Sequence, residues 1–273
     1  RMQRFIVHLV SDSTGETVTH VARACLVQFD DIDFEERAWP MVRNAEQVNE
    51  ILSAVAKQGG FVLYTFVDQD ISKQLNDGCL RLHVPCIPVL DPVVSAFGKF
   101  LNAEILARPG GQHVMDAEYF SRIDAIQFAL THDDGQSAWD LNQADVILLG
   151  VSRTSKTPTC IYLANRGIKA ANVPIVLGCP VPEQIFEVGN SLIIGLTKDP
   201  KRLVEIRRQR LRLLGQDENT DYVNIDAVSQ EINEARRLCN KHNWPMINVS
   251  RRSIEETAAQ ILQLYQNRSE PRA

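Results

Sequence analysis

Asp145-Val-Ile-Leu-Leu-Gly150-Val-Ser-Arg-Thr-Ser-Lys156-Thr-Pro158 is the stretch from which the fold can be read. Ala144 to Leu149 is a strongly apolar segment of strand length, and Pro158 to Asn165 has helical spacing. Between them lies a polar loop that opens on Gly150. Strand, polar loop and helix in that order form the building unit of a parallel sheet, because parallel neighbours need a crossover between them. Within the loop, Gly150, Lys156 and Thr157 stand at the spacing of the phosphate-binding pattern G-x-x-x-x-G-K-[ST]. Ser155 occupies the place of the second glycine. Successive backbone N–H groups at a helix start point at an anion, and the helix dipole favours negative charge there. Lys156 can reach phosphate oxygens, Arg153 adds a second cation, and Thr157 can offer a hydroxyl to Mg²⁺. An ordinary polar turn is the competing reading, since a serine is strained wherever the loop demands positive φ.

The same alternation extends in both directions. Phe5 to Val10 is strand-like, and Glu16 to Phe29 carries an apolar stripe of Val18, Val21, Ala22, Cys25, Leu26 and Phe29. Helices are expected over 45–58, 71–82, 93–101 and 119–130, with strands over 61–67 and 86–90. Further strands are expected over 174–177, 192–196 and 246–249, and helices over 200–214, 229–242 and 253–266. Ser253-Ile-Glu-Glu256 has the form of a capping box. The expected class is α/β, with parallel sheets flanked by helices. An N-terminal α/β domain over 1–140 would precede a P-loop-like α/β domain over 141–273. The break falls in the weakly periodic region 104–140, where Glu104 to Asp116 reads as a long loop. Residues 267–273 read as a polar tail.

Composition narrows the function. The chain has 273 residues, 29 Lys plus Arg against 34 Asp plus Glu, and a net charge of -5. Phosphate neutralisation along nucleic acid needs clustered positive charge, so a general nucleic-acid binder is excluded. No apolar run approaches the ~18 residues that cross a bilayer. The start, Arg1-Met-Gln-Arg4, does not read as a signal peptide. The six cysteines have neither C-x-x-C nor zinc spacing and read as small core residues of a reducing compartment. A cytoplasmic protein is expected.

Three other features could carry chemistry. Ser11-Asp-Ser-Thr-Gly-Glu-Thr17 is a second strand-to-helix turn, where Asp12 could act as a base or metal ligand. It reads equally well as a helix capped by Ser13 or Thr14. His132-Asp133-Asp134-Gly135 sets two carboxylates beside a histidine, suited to Mg²⁺ or to a hydroxyl, or else to a plain turn. The helix from Lys201 carries Arg202, Arg207, Arg208, Arg210 and Arg212, either as a phosphate clamp or as a solvated face. Trp39, Trp139 and Trp244 read as packing residues. Protein-kinase and hydrolase signatures are absent from the sequence.

Taken together, these segments resemble the pyruvate, phosphate dikinase regulatory proteins of bacteria and plastids and their sister group acting on phosphoenolpyruvate synthase. The likeness rests on residues 8–17, 119–128, 132–135 and 150–158, then on 195–203, 206–211 and 253–257. It implies a bifunctional enzyme: an ADP-dependent serine/threonine kinase that inactivates the dikinase by phosphorylating a Thr near its catalytic His, and a phosphate-dependent phosphorylase that removes the group as pyrophosphate. The family's nucleotide loop maps onto Gly150, Val151, Ser152, Arg153, Thr154, Ser155, Lys156 and Thr157, with Ser155 in the family's own form. On this basis ADP and inorganic phosphate are the expected substrates, with Mg²⁺ near Thr157. Lys156 and Arg153 would neutralise charge, Asp12 is the first choice of base, and Asp133 or Asp134 the second. Arg153, Arg207 and Arg208 are candidates for holding inorganic phosphate. The expected partner is the dikinase or, alternatively, the synthase, and a homodimer is implied. A non-catalytic nucleotide-binding regulator is the opposing reading.

Overall fold

The computed structural model describes residues 4–111 and 117–269. Positions 112–116 of the expected loop and 270–273 of the expected tail lie outside them. The chain divides into two compact units, Arg1–Val114 and Met115–Ala273. The division falls inside the region 104–140 in which a break was expected, ahead of residue 140. The expected boundary lies within the second unit, because the helix and acidic turn before residue 140 pack on the second sheet.

In the first unit, β1 (Phe5–Ser11), β2 (Phe34–Trp39), β3 (Phe61–Thr65) and β4 (Cys86–Pro88) form a parallel sheet in the order β2-β1-β3-β4. On one face Val7 and Leu9 pack against Val18 and Ala22 of α1 (Glu16–Leu26). On the other, Val10, Val62 and Tyr64 meet α2 (Ala45–Gln58) and α3 (Gln69–Arg81). The helix α4 (Asp91–Leu101) buries none of its residues. Strand β2 has no counterpart in the periodicity reading. It is an edge strand, Phe34-Glu-Glu-Arg-Ala-Trp39, whose charged residues suit solvent and hide the β signal. The stripe on α1 is also shorter than expected: Cys25 is exposed, and Phe29 lies beyond the helix end, 63% exposed.

The second unit repeats the plan. Strands β5 (Val146–Gly150), β6 (Ala170–Pro174), β7 (Leu192–Thr197) and β8 (Met246–Asn248) are parallel in the order β6-β5-β7-β8. Val146, Leu148, Ile194 and Leu196 face α5 (Ala117–Thr131), α6 (Lys156–Ala164) and α9 (Ile254–Ser269). Ile147, Leu149 and Val173 face α7 (Pro200–Leu213) and α8 (Ile225–Lys241). Strands β5 and β7 are neighbours whose following helices, α6 and α7, lie on opposite faces of the sheet. The loop after β5 therefore opens into the crevice where α/β sheets place ligands.

Strand β6 corrects the sequence reading, which set a strand at 174–177. The observed strand is Ala170-Ala-Asn-Val-Pro174, buried along its first four residues. Its alanines carry little β signal and are selected by close packing under helices. Helix α9 begins as expected: Ser253 Oγ accepts from the Glu256 N–H at 3.1 Å, and Glu256 Oε2 accepts from the Ser253 N–H at 2.9 Å. Cys79, Cys160 and Cys239 are buried as core residues, while Cys179 joins Cys25 at the surface. No helix among the described residues is long and apolar enough to cross a membrane.

Candidate functional site

Glycine at position 150 follows from crowding rather than from φ. A Cβ there would lie 2.6 Å from the Leu196 carbonyl oxygen and 2.7 Å from Thr154 Oγ1. The loop can therefore leave β5 tight against β7 only with no side chain at that point. Beyond it the backbone turns sharply. Arg153 (φ 71°) and Ser155 (φ 65°) are both left-handed, and Ser155 is the N-cap of α6. The serine thus adopts the conformation that a glycine would take freely, at a strain of roughly 1 kcal/mol.

The loop residues divide by role. Ser152, Arg153, Ser155, Lys156, Thr157 and Pro158 line a cavity of about 500 Å³ together with Asp134, Pro174, Lys198 and Ile206. Val151 and Thr154 face the protein: Thr154 Oγ1 donates to the Val151 carbonyl at 2.9 Å, and both residues are buried. Lys156 Nζ donates to the same carbonyl at 3.2 Å. Only 5% of Lys156 is exposed, and burial lowers its pKa to about 8, against the pull of Asp134 and Asp133. A bound anion would favour the charged form further.

The two acidic residues of the 132–135 turn part company. Asp133 Oδ1 accepts from Thr157 Oγ1 at 2.8 Å and from Asn172 Nδ2. Asp134 instead lines the cavity, in a left-handed conformation (φ 50°) with its N–H donating to Asn172 Oδ1 at 3.0 Å. His132 anchors the turn from below. It is buried, stacks on Phe128 and contacts the Phe128 carbonyl at 2.8 Å and Asp140 Oδ1 at 2.6 Å. Asn172, buried in β6, thus holds the Asp133 carboxylate and the Asp134 backbone. The sequence reading missed it because the strand itself was misplaced.

Lys198 was also missed. It directly follows β7, is 9% exposed, and burial first and Arg202 second lower its pKa. The signal lay in the polar residues after the apolar strand Leu192–Leu196, beside the loop strand. Next to it, Thr197 Oγ1 is buried without a hydrogen-bond partner.

Asp12 belongs to the first unit, where it lines a cavity of about 190 Å³ with Ser11–Thr17, Arg108 and other residues of that unit. Its Oδ2 accepts from the Val67 N–H at 2.8 Å, and burial raises its pKa. The helix there is capped by Gly15 (φ 86°), not by the side chain of Ser13 or Thr14. Arg207 is no surface cation: it is 1% exposed and donates to the Ser152 carbonyl, the Tyr222 carbonyl and Glu231. It braces the loop from behind, so its donors are unavailable to inorganic phosphate. Arg208 and Arg212 pair with Glu218.

For a metal, the donors present are oxygens. Among the described residues no three His, Cys, Asp or Glu side chains cluster. Mg²⁺ needs no such cage, since it takes one or two carboxylates and completes its shell with phosphate oxygens and water. Asp133 beside Thr157 fits that demand.

Beside a strained loop at a topological switch point, the buried ammonium groups of Lys156 and Lys198 and the Asp134 carboxylate line one cavity of an α/β protein. A family model described as kinase/pyrophosphorylase matches residues 7–262, and the chain belongs to that family. Relatives include a Paramagnetospirillum magneticum protein, 50% identical over 99% of this chain and 87% of its own length. A Caulobacter vibrioides protein is 52% identical over 95% of this chain and 82% of its own. Both are provisionally named pyruvate, phosphate dikinase regulatory protein.

Proposed function

We propose that this protein is a bifunctional regulator of pyruvate, phosphate dikinase: an ADP-dependent serine/threonine kinase and a phosphate-dependent phosphorylase sharing one site. The observation that supports it best is the single cavity in which Lys156, Arg153 and Lys198 face Asp134. Phosphoryl transfer requires little more than positioning, charge neutralisation and a group to take the hydroxyl proton.

In the kinase direction, the loop amides with Lys156 and Arg153 hold the ADP diphosphate. The target hydroxyl oxygen attacks the β-phosphorus while Asp134 takes its proton. The bond from that phosphorus to the oxygen bridging the two phosphates breaks, and AMP leaves. In the other direction, an oxygen of inorganic phosphate attacks the phosphorus of the phosphorylated residue. The bond to the residue's oxygen breaks, Asp134 returns the proton, and pyrophosphate leaves. Asp134 is preferred to Asp133, whose Oδ1 is held by Thr157 and Asn172. Asp134 also lines the cavity of Lys156 and Arg153, and Asp12 lines a cavity of the first unit. Mg²⁺ bound at Asp133 and Thr157 would add charge neutralisation.

The test is to incubate the protein with the phosphorylated dikinase and ADP, then with phosphate, and weigh the target. A gain and then a loss of one phosphoryl mass is expected, with both steps abolished in Lys156→Ala and Asp134→Asn. Unchanged target mass would leave a non-catalytic nucleotide-binding regulator. Modification of phosphoenolpyruvate synthase alone would reassign the target.

A further inference from the structure

A second cavity opens at the carboxyl edge of the same sheet. It measures about 550 Å³ and is lined by Asp199, Arg202, Asn248, Ser250, Arg251 and Arg252. It adjoins the phosphate cavity. Lys198 lines one and Asp199 the other, and along α7 Ile206 lines the first and Arg202, one turn earlier, the second. On the β6 side, Asp134 and Pro174 wall the phosphate cavity itself. Asp134 is tied there to Asn172, and a Cβ on Gly135 would meet Pro174 at 3.2 Å.

We propose that the β7–β8 cavity is the nucleoside subsite: it takes the ribose and base of ADP and stands empty when inorganic phosphate is the reactant. The inference rests on the function proposed above. The two reactions handle the same diphosphate, carried on a nucleoside in one direction and free in the other. The loop serves what they share, so the nucleoside needs its own space beside the loop.

The side chains suit that ligand. Arg202 is anchored through Nη1 to the Ser250 carbonyl at 3.1 Å. Its planar guanidinium is therefore fixed in advance as a surface on which a heteroaromatic ring can stack. Asp199 Oδ1 caps α7 by accepting from the N–H groups of Lys201 and Arg202. Its second oxygen remains to accept from ribose hydroxyls. Asn248 Oδ1 accepts from the Ser250 N–H and hydroxyl, so it is the Asn248 amide NH₂ that a base can use. All of these residues except Ser250 are exposed, and substitutions at Arg202 leave the core intact.

Calorimetric binding of ADP and of pyrophosphate to wild type, Arg202→Ala and Arg202→Lys tests the assignment. Both variants should lose about tenfold or more in ADP affinity, with pyrophosphate affinity unchanged within about twofold. Arg202→Lys is decisive because it keeps the charge and removes the flat surface. Equal weakening of both ligands by Arg202→Ala with normal binding by Arg202→Lys would make the cavity an anion site and overturn the proposal. Normal ADP binding by both variants would overturn it too. Wild-type protein that binds neither ligand would instead sink the proposed function itself.

Discussion

Replacing Lys156, the lysine we assign to the ADP phosphates, should make the empty protein more stable. Lys156 is almost wholly buried, and its pKa falls from the ordinary 10.5 to about 8. The folded state therefore binds fewer protons than the unfolded chain between those values, and this residue's contribution to stability rises with pH across that window. Below pH 8 the ammonium is charged in both states, and keeping it buried costs the fold roughly 3 kcal/mol at about 1.4 kcal/mol per pH unit. By pH 10 the penalty shrinks to about 1 kcal/mol. In Lys156→Met the apolar stem is largely retained, and the Val151 carbonyl still accepts from Thr154 Oγ1. Urea unfolding without ligand should thus show Lys156→Met more stable than wild type by about 2–3 kcal/mol at pH 7 and by about 1 kcal/mol or less at pH 10. Pyrophosphate should stabilise only the wild type, by mass action. A variant less stable than wild type at pH 7, or a difference indifferent to pH, would refute the view that the site holds an uncompensated cation.

Three further outcomes follow from the same geometry. Ser155→Gly should be tolerated, with stability within about 0.5 kcal/mol of wild type and ADP binding retained. Ser155→Val should lose more than about 1 kcal/mol in thermal unfolding, because a β-branched residue resists the left-handed region. Asn172→Leu removes the donor to Asp133 and the acceptor for the Asp134 N–H. It should cost about 2–3 kcal/mol in denaturant unfolding and lower the turnover rate more than it weakens ADP binding. His8 is fully buried, contacts the Gly59 carbonyl through Nε2 and accepts from Trp39 Nε1 at Nδ1, and burial lowers its pKa below 6.5. The unfolded chain binds the proton more readily, so stability present above pH 6.5 is lost on acidification; His8→Gln should flatten that slope in unfolding measured between pH 5 and 8.

What the sequence makes legible depends on how locally each feature is determined. The β5 loop could be read because Gly150, Lys156 and Thr157 act through their own backbone and neighbours. The alternation of strand and helix was readable for the same reason, and so was the capping box at Ser253. Strand β2 escaped because an edge position makes its charges acceptable. Strand β6 escaped because burial under helices selects small residues over β formers. Both are decisions of tertiary packing, and no window of a dozen residues contains them.

The site repeats this lesson with sharper consequences. Asp133 and Asp134 are neighbours of one chemical type, and spacing alone offers no ground for giving them different tasks. The difference comes from Asn172, 38 residues beyond Asp134, whose amide occupies one carboxylate and fixes the backbone beneath the other. Arg207 shows the reverse error. On a basic helix it looked like a surface cation, yet its guanidinium is buried behind the loop and bonded to Ser152. A charge count along α7 ranks Arg207 with Arg202, although the first supports the loop and the second is open to a ligand. Charged residues in such sites take their roles from what already occupies their hydrogen-bonding atoms. That accounting begins only once the strands have brought distant residues together.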